Sequence, residues 1–275
     1  MTLQLDTGSG FKDIETKQCA APCTSLTYLE FNVTNFTCSN ISSAEYKFKG
    51  TNNESTAYTT AHSFTIEKDD VIFEYISGNN SISNRSGDQT TLMTLRVFDT
   101  DKQEYLSSGT NVTFSVMFNA VSFDSGTINE TNGTGHVLYY FNPTCTPTKY
   151  LVGNRAWKGE TLSSAQCYKA VTSDEFNTSI RGDIQLEFTT PTGLVNFTQE
   201  GLIGFLGATT DDCGDALEST VVYNANISES DGFACTDTTK VGANAYTCDY
   251  TTTTATSSGY YNTTMFSNVT YHYNN

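Results

Sequence analysis

Short runs that alternate apolar and polar residues fill most of the chain. In the clearest run, Val112, Phe114 and Val116 alternate with Thr113 and Ser115, which is the period of a strand with one face in a core. β-Branched and aromatic residues are frequent in these runs, and clusters of Gly, Asn, Asp and Ser separate them. The pattern predicts an all-β protein, and no convincing helical period competes with it.

The runs fall into two groups of about seven strands each. The first group covers residues 26–36, 44–48, 58–66, 71–76, 91–98, 112–123 and 136–141, and the second covers residues 166–171, 183–189, 193–198, 202–206, 219–227, 243–250 and 260–273. Pro143 and Pro147 lie between the groups. Because proline has no amide donor for a sheet ladder, this stretch marks the expected domain boundary.

We therefore expect two disulfide-linked β-sandwich domains of immunoglobulin-like topology, residues 11–145 and residues 146–275. Residues 1–10 are expected to form an N-terminal extension strand and its hinge. In this extension Leu3 and Leu5 alternate with polar residues, and Gly8-Ser9-Gly10 follows. Such a strand can pair within its own domain or leave it and complete the sheet of a neighbour.

Asparagine and cysteine usage indicates a secretory compartment. Fourteen of the 23 asparagines begin an Asn-x-Ser/Thr sequon, the acceptor for N-linked sugar: Asn32, Asn35, Asn40, Asn53, Asn79, Asn84, Asn111, Asn129, Asn132, Asn177, Asn196, Asn226, Asn262 and Asn268. With 72 Ser and Thr among 275 residues, chance predicts only about five sequons. The excess predicts a heavily glycosylated extracellular chain.

The eight cysteines agree with that compartment: Cys19, Cys23, Cys38, Cys145, Cys167, Cys213, Cys235 and Cys248. An even number in an extracellular chain predicts up to four disulfides, whose pairing the sequence leaves open. A zinc site is less well supported, because the spacing between Cys19 and Cys23 is one residue wider than a CxxC knuckle and the nearest histidine, His62, is distant.

Charge and hydropathy exclude several partners. The chain has 14 Lys and Arg against 30 Asp and Glu, a net charge of −16, which repels nucleic acid and anionic lipid. No apolar run approaches the roughly 20 residues that span a bilayer. Residues 1–10 have neither the basic nor the apolar region of a signal peptide. If the sequons are used, a leader must therefore have been removed before them.

Candidate catalytic residues are few. Asp6-Thr7-Gly8 and Asp124-Ser125-Gly126 each resemble the active-site loop of pepsin-like aspartic proteases, in which two carboxylates share a proton. The resemblance covers about ten residues, and too little chain precedes Asp6 for that family. Aspartate followed by a small residue and glycine is also ordinary turn chemistry. We expect no enzyme and no cofactor.

Two acidic clusters and one tripeptide have possible binding roles. The clusters, which could hold calcium but are expected to be solvated acidic turns, are Asp99, Asp101 and Glu104, and Asp211, Asp212 and Asp215. Arg181-Gly182-Asp183 matches the tripeptide that adhesion receptors of the integrin type read. It leads into a strand-like run, and we expect it to form a turn there.

The N-terminal extension resembles, in its logic, the donor strand of pilin subunits, and the composition is similar to that of extracellular glycoprotein filaments of eukaryotic microbes. This resemblance implies a homopolymer in which Leu3 and Leu5 fill pockets of the next copy. The predicted function is a structural subunit of an extracellular or cell-surface assembly. The alternative is a monomeric adhesion ectodomain that binds a protein or carbohydrate, and the third is a secreted hydrolase that uses Asp6 and Asp124.

Overall fold

The computed structural model describes residues 1–18, 28–34, 36–52, 54–87, 90–162, 167–193, 195–228 and 231–273. Strands dominate these residues, and their one helical element is a 3-10 turn at Cys38–Asn40. The expected all-β class is confirmed.

The first twelve strands of the described residues are β1 Thr2–Asp6, β2 Lys12–Thr16, β3 Ser42–Thr51, β4 Thr56–Tyr58, β5 His62–Ile66, β6 Val71–Ser77, β7 Ser81–Asn84, β8 Thr91–Asp99, β9 Glu104–Tyr105, β10 Asn111–Val116, β11 Thr127–Glu130 and β12 His136–Phe141. The remaining strands are β13 Gly153–Thr161, β14 Phe176–Thr190, β15 Leu202–Asp211, β16 Thr220–Ser228, β17 Asp231–Cys235, β18 Thr239–Lys240, β19 Ala245–Thr251, β20 Asn262–Asn268 and β21 His272–Tyr273.

The N-terminal strand belongs to a sheet of its own chain. In this sheet β1 lies between β2 and β3, and β4 and β5 both pair with β3. Leu3 is opposite Phe48 and Leu5 is opposite Tyr46 in the β1–β3 pair. Because β1 is hydrogen-bonded on both sides, it is a central strand rather than an edge.

The first sandwich packs a four-stranded sheet of β12, β8, β6 and β9 against strands of a nine-stranded sheet. Fully buried side chains from both sheets form its core: Met93, Leu95 and Val97 on β8, Val112, Phe114 and Val116 on β10, and Trp157 on β13. A Cβ on Gly159 would lie only 2.4 Å from Leu95 Cδ1, so β13 and β8 meet face to face. The alternation read on residues 112–116 is confirmed.

The second sandwich packs the three-stranded sheet β17-β16-β20 against β15 and β19 of the large sheet. The rings of Phe205 on β15 and Tyr223 on β16 stack with centroids 5.4 Å apart. A Cβ on Gly207 would meet Met265 Sδ of β20 at 2.5 Å, so only glycine permits this close approach of the two sheets.

Strand β14 takes part in both sandwiches. Its first half pairs with β13 and β7, and its second half pairs with β15. Tyr150, Trp157 and Ile180 follow the expected boundary in sequence and pack in the first core. The domain boundary between residues 145 and 146 stays a prediction. Strand β13 and the first half of β14 follow that boundary in sequence but pack in the first sandwich.

Three disulfides link distant parts of the described chain: Cys38–Cys167, Cys145–Cys213 and Cys235–Cys248. No described cysteine is free. The fourth candidate pair, Cys19 and Cys23, lies outside the described residues. The first two disulfides join residues 129 and 68 positions apart. Because they close long loops, they reduce the number of conformations open to the unfolded chain.

Three expected strands are absent from the described residues. Residues 28–34 and residues 195–198 have no ladder partner, and residues 167–171 contribute only the isolated bridge of Tyr168 with Asp69. In the first segment Leu29, Phe31 and Val33 still alternate, and they line a groove together with residues of β1 and β3. The segment therefore lies across the face of the N-terminal sheet, where side chains pack but strand hydrogen bonds cannot form. Strand β13 was missed because its sequence is polar and contains two glycines.

Candidate functional sites

The proposed assembly residues lie in an apolar groove of the N-terminal sheet. Leu3 is 6% exposed and Leu5 is 8% exposed. They line a groove of about 330 Å³ with seven other apolar or aromatic residues: Leu29, Phe31, Val33, Phe36, Tyr46, Phe48 and Phe64. Here the two leucines line a groove of their own chain, and the expectation that they fill pockets of a neighbouring copy stays a prediction.

The segment after β1 is a tight hairpin turn. Asp6 Oδ1 accepts hydrogen bonds from the amides of Gly8 at 2.8 Å and Gly10 at 2.9 Å. Both glycines have positive φ, 103° and 87°, a conformation that other residues adopt at a cost. The residues read as a hinge thus reverse the chain between β1 and β2.

The asparagines of the sequons lie on the accessible surface wherever they are described. None of the twelve is buried: Asn32, Asn79, Asn132, Asn177, Asn196, Asn226, Asn262 and Asn268 are exposed, and Asn40, Asn84, Asn111 and Asn129 are half-buried. Asn35 and Asn53 lie outside the described residues. An asparagine must lie on the surface to carry sugar in the folded state. By the exposure of the residue as a whole, these twelve asparagines meet that requirement.

Some sequons occur in spatial pairs. Asn226 on β16 is directly opposite Asn262 on β20, and the amide of Asn177 donates to Asn79 Oδ1 at 2.9 Å. Cross-strand partners have Cβ atoms roughly 5 Å apart. Sugars on both members of a pair would therefore crowd one patch of surface.

One sequon is integrated into the packing. Asn129 Nδ2, the atom that would carry sugar, is buried and has no hydrogen-bond partner within the described residues. Thr131 of the same sequon is 2% exposed. Its hydroxyl donates to the carbonyl oxygen of Ser107 at 2.6 Å and accepts from the amide of Thr110 at 3.0 Å. Asn129 is thus the described sequon least able to accommodate sugar.

Two members of the second acidic cluster, Asp211 and Asp212, form a buried ion-pair network, whereas Asp215 is exposed. Arg85 Nη2 lies 2.6 Å from Asp211 Oδ2 and 2.7 Å from Asp212 Oδ1, and Arg85 Nε donates to Asp212 Oδ2 at 2.9 Å. The side chains are 1%, 5% and 10% exposed, respectively. Arg85 Nη1 also donates to the carbonyl oxygen of Tyr150. The network ties the end of β15 to the first sandwich.

The charges of the network shift the pKa values of both partners. Burial alone would raise the pKa of Asp212, but the hydrogen bond and positive charge of Arg85 outweigh it and hold that pKa below its ordinary value. Burial likewise disfavours the charged guanidinium, and the two carboxylates raise the pKa of Arg85 in spite of it. Both groups remain ionised at neutral pH.

Lysines and an arginine already pair with several of the carboxylates in the two acidic clusters. Lys149 pairs with Asp215. In the first acidic cluster Lys102 Nζ contacts Asp99 Oδ2 at 3.1 Å and also pairs with Asp69. Asp212 lies beside the sulfurs of Cys145 and Cys213, but these sulfurs are joined in a disulfide and are not thiolate ligands.

The two protease-like triplets are both turns. Asp6 holds Gly8 and Gly10, as described above, and Asp124 Oδ1 accepts from the amides of Gly126 at 3.0 Å and Val116 at 3.1 Å. Asp6 ends β1 in the N-terminal sheet, whereas Asp124 follows β10 in the first sandwich. The turn of Asp6 thus explains the hydrogen bonds of its carboxylate. Asp124 also accepts a hydrogen bond at Oδ2 from the hydroxyl of Tyr150, which ties its turn to the first core.

The Arg181-Gly182-Asp183 tripeptide lies inside β14 and does not form the expected turn. Gly182 is buried, and a Cβ at this position would lie 2.5 Å from Asp212 Oδ1 and 2.8 Å from Arg85 Nη2. The tripeptide therefore has a packing role beside the ion-pair network.

Comparison with known proteins gives no family. No family model matches the chain, and no curated protein matches it. Within the described residues, no helix is long and apolar enough to cross a bilayer.

Among solved structures, a tetra-tandem repeat in the extending region of a large adhesion protein has a TM-score of 0.40 at 14% identity, with 82% of this chain and 52% of that chain covered. Fibronectin(III)-like modules of Clostridium thermocellum CbhA have a TM-score of 0.24 at 12% identity, covering 71% of this chain and 85% of theirs. The FN1–FN3 domains of chicken CNTN1 have a TM-score of 0.23 at 9% identity, covering 85% of this chain and 72% of theirs. These scores are low, so the fold assignment rests on the sheets and cores of the chain itself.

Proposed function

We propose that this chain is an extracellular structural glycoprotein, a subunit of a cell-surface or matrix assembly. The observation that supports it most is the number of sequons: the chain has fourteen, where chance predicts only about five. None of the twelve described sequon asparagines is buried. The net charge of −16 and the three disulfides suit the same environment.

Self-association through β1 is the second part of the proposal. An exchanged strand makes the same contacts in a neighbour that it makes in its own chain. The pairing of β1 with β2 and β3 therefore also describes the contacts it would make after exchange, with Leu3 and Leu5 beside Phe48 and Tyr46 of the neighbour. A head-to-tail exchange does not close on itself, so it propagates as a filament.

Glycosylation is tested by expressing the chain in a eukaryotic secretory host and measuring sugar at each sequon by mass spectrometry. We expect most of the exposed asparagines to carry sugar. A chain that is secreted with every sequon unmodified would overturn the proposal.

Strand exchange is tested by cross-linking β1 to β3. Gln4 is opposite Lys47 in the register of the two strands, and we propose the double variant Gln4→Cys, Lys47→Cys. If β1 is exchanged, the new disulfide joins different copies, and a denaturing non-reducing gel shows a ladder of covalent oligomers. The two single variants are the matched controls and should give no ladder. Covalently closed monomers alone, isolated from assembled material, would rule out exchange and leave the glycoprotein proposal standing.

A further inference from the structure

The second sandwich contains a pocket of about 420 Å³ between two loops, which are described at residues 191–193, 195–199 and 252–261. Ile203 and Phe205 of the second core form part of its wall, at 8% and 1% exposure. Phe197 and Tyr260 line the pocket and are 42% and 86% exposed. The volume is in the range of small-molecule sites in proteins.

Hydrogen bonds between the two loops hold the pocket in shape. Thr252 is 6% exposed, and its hydroxyl donates to the carbonyl oxygen of Thr198 at 3.0 Å. Gln199 Nε2 donates to the carbonyl oxygen of Thr256 at 3.1 Å. A pocket whose walls are tied together in this way loses little conformational entropy when it is filled.

The lining selects a neutral ligand rich in hydroxyl groups. Among the described residues that line the pocket, none is Asp, Glu, Lys, Arg or His. The chain as a whole has 30 Asp and Glu and 14 Lys and Arg, so the pocket is distinctly uncharged. The polar lining consists of hydroxyl and amide side chains, including Ser257 and Ser258. Aromatic rings beside hydroxyl and amide groups suit a sugar, whose C–H face packs on a ring while its edge forms hydrogen bonds.

The source of such a sugar lies in the pocket wall. Asn196, which begins the sequon Asn196-Phe197-Thr198, is exposed and lines the pocket. We propose that the pocket holds the innermost sugar residues of the N-linked glycan on Asn196 of the same chain. A covalent tether gives these residues a millimolar or higher effective concentration at the pocket, so weak contacts suffice to fill it. This inference rests on the proposed function, because it requires that the sequon is used.

The test compares how fast an amidase that cleaves N-linked glycans releases sugar from each site of the native, fully folded glycoprotein. Asn268 is an exposed sequon at the end of β20 and serves as the internal reference. We expect release at Asn196 to be slower than at Asn268 by roughly tenfold or more, which corresponds to about 1.4 kcal/mol of protection.

Tyr260→Ala removes a ring that is mostly exposed and should leave folding intact, and we expect it to bring release at Asn196 close to the rate at Asn268. Tyr140→Ala, which removes a 61% exposed ring on β12, is the matched control and should not change the ratio. Equal rates at Asn196 and Asn268 in the unaltered protein would overturn the inference. An unmodified Asn196 beside other modified sequons would overturn it too and leave the proposed function intact, whereas no sugar at any sequon would overturn both.

Discussion

At the scale of single residues, the buried ion-pair network around Arg85 is a feature that local sequence patterns do not reveal. Arg85 and Asp211 are 126 positions apart, and nothing in the sequence near either residue indicates the other. The sequence shows Asp211 and Asp212 as neighbouring acidic residues, but their burial depends on the positive charge of Arg85 from a distant loop. Long-range charge pairing of this kind requires the fold itself.

We expect Arg85→Ala to lower the free energy of unfolding by about 3–5 kcal/mol, because it leaves two carboxylates buried without a cation. Lys149→Ala is the matched control: its partner Asp215 is 47% exposed and Lys149 itself is 36% exposed, so the loss should stay below about 1 kcal/mol. Denaturant unfolding of both variants measures the difference. Equal losses would contradict a special role for the buried network.

The same network predicts a loss of stability in acid. The folded pKa of Asp212 is held below its ordinary value, so its contribution is complete above the unfolded pKa, about 3.9 for aspartate. That contribution disappears as the pH falls to and through the lower folded pKa. We expect the unfolding free energy to drop more steeply below about pH 4 in the unaltered protein than in Arg85→Ala. Parallel pH profiles would exclude Asp212 as the source.

Asn129 provides a prediction about modification. Because its Nδ2 is buried, we expect Asn129 to remain free of sugar in folded, secreted protein, while Asn132, exposed and three positions away, is modified. Site-resolved mass spectrometry compares the two within one peptide region. Full occupancy at Asn129 would mean that β11 packs differently from the structure described here.

At the scale of elements, the alternation of apolar and polar residues did not separate strands from segments that only pack on a sheet. Val112, Phe114 and Val116 alternate and form β10, whereas Leu29, Phe31 and Val33 alternate equally clearly and form no strand. The difference is that the second segment lies across a sheet face, which side-chain periodicity cannot distinguish from a place in the ladder. The candidate assembly strand was correctly located, but its central position in the sheet depends on β3, some 40 residues later.

The element that both sandwiches share, β14, contains a position that accepts only glycine. A Cβ on Gly182 would approach Asp212 Oδ1 at 2.5 Å and Arg85 Nη2 at 2.8 Å. We expect Gly182→Ala to destabilise the protein by about 1–3 kcal/mol through overpacking. Gly204→Ala on β15 is the control, since its nearest neighbour would be Asp249 Oδ1 at 3.3 Å, the end of an adaptable side chain. Thermal unfolding of the two variants should separate them clearly, and similar melting temperatures would contradict the close approach at Gly182.

At the scale of the whole molecule, net charge and self-association oppose each other. Each copy has a net charge of −16, and in dilute salt these charges repel over about 30 Å, compared with about 8 Å at physiological ionic strength. The apolar contacts of β1 are the same within its own chain and in a neighbour, and salt does not weaken them, so the repulsion between copies decides how far they associate.

We therefore expect assembly to strengthen when the salt concentration rises from about 10 mM to about 150 mM, the reverse of an assembly held by surface ion pairs. Light scattering at fixed protein concentration measures it. Raising the salt further should add little, because a screening length of about 8 Å already removes most of the long-range repulsion. Dissociation on adding salt would instead show that ion pairs hold the copies together, such as the pair of Lys49 and Asp13 on the N-terminal sheet. The apolar contacts of β1 would then have no part in the assembly.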